Sequence, residues 1–294
     1  MPKAGVVKSI SMAVPTAFNL RLLSSQPSTR AVADSVALAL FDAPPPWVGP
    51  DWTTKFEVTW VPTPRHKARG SSTTNPSRQR VLKEMAKPRP GEVVATGFTF
   101  HPPEPGASGE TESTYQKLIW GSHFRSEVLA RNVGVDGLAD PAMGPWALDY
   151  TSAVLSLAPL CAPSAAWFGT YNRHPFTFDR IEPDTVPGYG WLVTLPSRLV
   201  ARLGAVESCP AELVRTVVTP DGDEVTVFVL TPAPAQVTEP LLREWRGFLA
   251  PVLDDNRLEQ RTAAFTATAG MSPWQFHLPP MMLADDWPTP PSHA

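Results

Sequence analysis

No stretch of the chain approaches the roughly 18 consecutive apolar residues that a membrane-spanning helix needs, so a transmembrane protein is not expected. Residues 1–23 lack the continuous apolar core of a secretory leader, and the expected place of work is the cytoplasm. Cysteine is scarce: Cys161 and Cys209 stand far apart and form no C-x-x-C. In a reducing compartment they are expected to be buried thiols and not a disulfide. Cys161 has no basic neighbour to lower its pKa, which argues against a nucleophile. The six histidines, His66, His101, His123, His174, His277 and His293, show no H-x-x-x-H spacing, and no metal site is expected. There is no G-x-S-x-G elbow, no Gly-rich loop ending in Gly-Lys-Ser/Thr and no G-x-G-x-x-G after a strand. Charge is sparse, at 18% of residues and a net −3, which argues against general nucleic-acid binding.

Proline, by contrast, is abundant: 35 of 294 residues, against a usual level of about 5%. Since proline breaks helices and central strands, short elements joined by long, stiff connections are expected. Ten tryptophans supply large apolar areas, each with one N–H donor, suited to a core or an interface. Charge is also unevenly placed. Eight Lys/Arg face the single acid Glu84 between Arg65 and Arg89, whereas ten Asp/Glu face four Arg between Ala205 and Gln260.

Along the N-terminal part, Gly5–Val14 and Phe18–Leu23 alternate as strands, and Ser28-Thr29 can cap a helix running to Phe41. Lys55–Val61 places Phe56, Val58 and Trp60 on one side of a strand. The polar, basic stretch from Pro62 to Pro90 reads as a mobile insertion carrying at most a short helix near Ser77–Met85. Val93–Phe100 resumes the strands, and Leu118–Ala130 reads as mixed strand and helix. Trp146–Leu160 is expected to be a helix with Leu148, Val154, Leu155 and Leu157 on its apolar stripe.

From Gly190 the pattern sharpens. Gly190–Leu195 is a short buried strand, Pro196 sits at a helix start, and Gly204 stops the helix. Leu213–Val218 and Val225–Leu230 flank Pro220-Asp-Gly-Asp223, a hairpin signal. Leu241, Leu242, Trp245, Phe248, Leu249 and Val252 fall on one helical face. The remainder to Ala294 reads as an extended tail whose Trp and Met residues pack across the domain.

These elements predict an α+β fold: a mixed or antiparallel sheet with helices packed on it, with two similar halves as one option. The expected organisation is an N-terminal half over residues 1–145, with a basic insertion at about 62–90. A second region spans residues 146–255, and the tail spans residues 256–294.

Few residues suggest chemistry. His174 with Asp179, Glu182 and Asp184 is the sole candidate acid–base or metal cluster, and a loop histidine among polar neighbours is the plainer reading. The Arg65–Arg89 strap suits a phosphate backbone but carries no ring for base stacking besides His66. The acidic tip Asp221, Asp223, Glu224 suits docking on a basic protein surface, or simply solubility.

An ordered series then appears: Leu155-Ser-Leu-Ala-Pro-Leu160, Ala166-Trp-Phe-Gly-Thr-Tyr171, Pro187-Gly188, Gly190-Trp-Leu-Val-Thr-Leu195, Leu199, Arg202-Leu-Gly204, the hairpin, and Thr231-Pro-Ala-Pro-Ala-Gln236. In this order, across Trp146–Val252, it resembles the type VI secretion immunity proteins found beside nuclease toxins. The resemblance implies no catalytic, cofactor-binding or metal-binding residues, and neutralisation of a cognate toxin by occlusion. The candidate toxin-contact residues are Asp221, Asp223, Glu224, Glu182, Asp184 and Trp167, the last expected on the turn after the long helix. A structural or adaptor component of a secretion apparatus, and an enzyme centred on His174, are the alternatives.

Overall fold

The computed structural model describes residues 17–24, 30–62, 67–90, 92–103, 114–119, 124–130, 139–158, 163–169, 184–186, 190–205 and 208–253. The strands are β1 (Ala17–Ser24), β2 (Thr53–Val61), β3 (Arg69–Thr74), β4 (Glu92–His101), β5 (Thr114–Ile119), β6 (Phe124–Ala130), β7 (Ser164–Gly169), β8 (Leu192–Pro196), β9 (Leu213–Val218) and β10 (Glu224–Val229). The helices are α1 (Arg30–Asp42), α2 (Arg78–Ala86), α3 (Met143–Leu155), α4 (Ser197–Val200) and α5 (Glu239–Leu249).

The fold is α+β. The strands pair in the order β3-β2-β4-β5-β6-β1-β7-β8-β10-β9, and every named pairing is antiparallel. Two three-stranded ends, β3-β2-β4 and β8-β10-β9, are joined through the middle strands. The ends share that plan but not its order, for the central strand comes first in one and last in the other.

At the first end, pleat alternation puts Phe56 and Val58 of β2 on the same face as Phe98 and Phe100 of β4. Phe41 of α1 lies 5.7 Å from Phe98, ring to ring, and Val36, Ala37, Val81 and Met85 bring α1 and α2 into the same core. The opposite face is polar: Thr99 Oγ1 donates to Glu57 there.

At the second end β8 is buried at all five positions, as a continuous apolar run requires when both faces are covered. The face of β10 bearing Phe228 meets α5, where Trp245 and Phe248 stand 5.8 and 6.2 Å away. Leu213, Arg215 and Val217 of β9 point the other way, towards α3, as the Arg215–Asp149 ion pair shows. Helix α3 also reaches back to the first end: Trp146 Nε1 donates to the Ala43 carbonyl, and its ring meets Trp47 edge-on at 5.1 Å. The proline run that stops α1 is thus anchored on α3. Complete burial of Trp191, Trp245 and Phe228 stabilises this end by about 1.5–3 kcal/mol for each such side chain. The two indoles keep their donors satisfied, Trp191 on the Thr231 carbonyl and Trp245 on that of Gly190.

Several expectations need correction. The stretch read as a mobile insertion contains β3, paired residue for residue with β2, while the short helix expected near Ser77–Met85 is present as α2, capped by Ser77. Residues read as mixed strand and helix form two strands, β5 and β6. Trp167 lies in β7 opposite Asn19, not on a turn. The expected strand at Gly5–Val14, the Ser28-Thr29 cap and the tail after Asp255 lie outside the described residues.

Candidate interaction surface

Pro220 and Gly222 build the turn between β9 and β10. Gly222 donates to the Thr219 carbonyl, and the Thr219 amide donates to that of Asp223. Gly222 takes φ +89°, the left-handed value a side chain resists. This is a type I turn closed by a glycine bulge, with Pro220 in the position its fixed φ favours. Thr219, almost wholly buried, bonds through Oγ1 to Asp221 at 2.5 Å and to the Asp223 carbonyl at 2.7 Å. The tip is therefore internally braced, and it holds Asp221, Asp223 and Glu224 in solvent.

Strand β9 beside it is the last strand of the sheet among the described residues. Val214 and Val218 are 42% and 61% exposed, although Phe228, the partner of Val214 on β10, is buried; Glu224, the partner of Val218, is exposed with it. The cause is reach: α5 covers Phe228 but leaves the outermost strand bare on that face. On the other face α3 holds β9 firmly, through Asp149 on Arg215 at 2.7 Å and through Leu213 against Gly144.

The remaining candidates separate. Asp184 is exposed and tied to α4: Arg198 Nε stands 3.5 Å from its carboxylate and Arg202 donates to its carbonyl. Because α4 follows Pro196, the strand partner of Val225, Asp184 belongs to the same end of the sheet as the acidic tip. Trp167 is placed by its backbone in β7, several strands from β9. Glu182, His174, Asp179 and Cys161, and with them the His174 cluster, lie outside the described residues. Cys209 is a half-buried free thiol whose pKa burial pushes up.

The basic strap is organised around its one acid. Glu84, 4% exposed, takes Lys87 at 2.6 Å and Arg80 at 3.0 Å. Arg89 donates to its carbonyl and lies 5.3 Å over the Trp60 ring. The Lys87 hydrogen bond, helped by the charges of Lys87, Arg80 and Arg89, outweighs the opposing effect of burial and holds the Glu84 pKa below its ordinary value. Arg78 meanwhile pairs with Asp42. With these cations spent within the fold, the strap offers a phosphate backbone less than its composition suggests. The sequence reading missed this clamp, whose only signal was the spacing Arg80, Glu84, Lys87.

Among the described residues no three His, Cys, Asp or Glu side chains gather to hold a metal ion, and no helix is long and apolar enough to cross a membrane. No protein-family model matches the chain, and no curated protein matches it.

Proposed function

We propose that this chain is an immunity-type protein that binds a secreted bacterial toxin, a nuclease, and neutralises it in the cytoplasm by covering its active site or substrate path. Such inhibition needs no bond-making by the inhibitor. It needs a rigid surface that complements the toxin in charge and shape. A nuclease presents cationic groups where it holds phosphates, and acidic residues on an inhibitor accelerate encounter with them. The observation that carries this reading is the braced acidic tip of the β9–β10 hairpin, set beside an exposed apolar strand on a firmly packed sheet. The ordered series across Trp146–Val252 supplies the toxin class. The test is co-expression with the nuclease toxin of the same locus: cells survive when the chain is present and die when it is absent. Death despite soluble, folded chain contradicts the proposal.

A further inference from the structure

Edge strands expose unpaired backbone groups, and proteins usually blunt them with lysine, proline, bulges or polar side chains. The two edges of this sheet differ in that respect. β3 is Arg69, Gly70, Ser71, Ser72, Thr73 and Thr74, polar along its length. β9 is Leu213, Val214, Arg215, Thr216, Val217 and Val218, mostly β-branched, in unbroken register with β10. Its single charge is no guard, because Arg215 is drawn onto α3 by Asp149 at 2.7 Å.

The ladder fixes which backbone groups point outward. Thr219 bonds with Asp223 at the turn, and the Leu230 amide points to Trp191, just before β8 on the far side. Antiparallel alternation from these anchors makes Thr216 and Thr226 a non-hydrogen-bonded pair, consistent with their hydroxyls at 3.2 Å. Val214, Thr216 and Val218 then aim their N–H and C=O groups away from β10, and two of these three carry the exposed valines.

The charge around this edge selects its occupant. Exposed Glu212 stands at one end, and Asp221, Asp223 and Glu224 stand at the other. A second copy paired antiparallel about Thr216 would set its own Glu212 beside this acidic tip, which like charges disfavour. We infer that β9 is a docking edge for an extended cationic segment of the partner, which adds as a further strand with its basic side chains against the two acidic ends. This inference rests on the proposed function for the partner's identity, but not for the edge's chemistry.

The probe is a capped heptapeptide of alternating valine and lysine, with its valine–glutamate counterpart as control, added to the full isotope-labelled chain. The expected result is about tenfold slower amide exchange at Val214, Thr216 and Val218 with the lysine peptide alone, and about tenfold weaker binding for Val218→Lys. Thr216→Pro, which removes an outward N–H, should also abolish the protection. Should that variant misfold, Val218→Lys, at an exposed position, still decides. Three results overturn the inference: no protection, equal protection by both peptides, or protection that rises with protein concentration alone and marks self-pairing. A Val218→Lys chain that still neutralises the toxin fully overturns β9 as the docking edge and leaves the function standing. A chain that takes the lysine peptide on β9 yet spares the toxin overturns the function and leaves the edge standing.

Discussion

The Gly144 amide donates to the Pro232 carbonyl at 2.7 Å, closing α3 onto the segment that leaves β10. The approach is possible because residue 144 has no side chain. A Cβ there would lie 2.8 Å from that carbonyl oxygen, 2.9 Å from the Pro232 Cα and 2.9 Å from Leu213 Cδ1. Two of these atoms are backbone and cannot swing aside, so Gly144→Ala should destabilise the fold by about 1–3 kcal/mol. A lower denaturant midpoint with an unchanged slope is the expected outcome. An unshifted midpoint contradicts the packing described.

Trp191→Phe tests a different link. The indole is fully buried, and its N–H reaches both the Thr231 carbonyl at 2.9 Å and the Thr231 hydroxyl at 3.1 Å. Phenylalanine keeps much of the apolar area but loses the donor, which should cost about 1–3 kcal/mol. Thermal or chemical unfolding measures the loss.

Glu84 makes stability depend on pH with a definite sign. Its folded-state pKa is held below the ordinary value, chiefly by the Lys87 hydrogen bond. The carboxylate therefore stabilises the fold fully above the ordinary Glu range, and that contribution fades as pH falls through the lowered value. Glu84→Gln should be less stable than the parent near neutral pH, with the gap narrowing towards acid. Unfolding curves for both proteins across that range check it, and a gap that widened on acidification would refute the clamp.

Much of the second end was legible in the sequence because its signals are local. Pro220 and Gly222 dictate their turn whatever surrounds them, and the unbroken apolar run of β8 announces a strand covered on both faces. The α5 stripe likewise reads directly, with Leu242, Trp245, Leu249 and Val252 all buried. β3 was not legible because an edge strand with nothing to bury carries no hydrophobic alternation, and its polar residues look like loop. β5 and β6 failed for a related reason, since their short runs do not separate strand from helix by period. The exposure of Val214 and Val218 is non-local: it depends on where α5 stops, which no spacing within β9 records. The burial of Glu84 was equally hidden, since an acid on a polar helix normally faces solvent.

Charge reversal at the hairpin tip isolates electrostatics from packing. Asp221→Lys would disturb the Thr219 brace, so Asp223→Lys with Glu224→Lys is the cleaner pair. These exposed positions should leave thermal stability nearly unchanged and slow association with a cationic partner by about tenfold or more at low salt. Stopped-flow association rates across a salt series provide the measurement. Rates indifferent to the substitutions remove the tip from the binding surface.

The central claim is that the chain acts as an inhibitor by occupying a surface, and one titration addresses it most directly. Purified chain is added stepwise to the nuclease toxin of its locus while DNA cleavage is followed. The account predicts a linear loss of activity that ends at one chain per toxin, with no change in the chain itself. Undiminished cleavage at equimolar chain would contradict it.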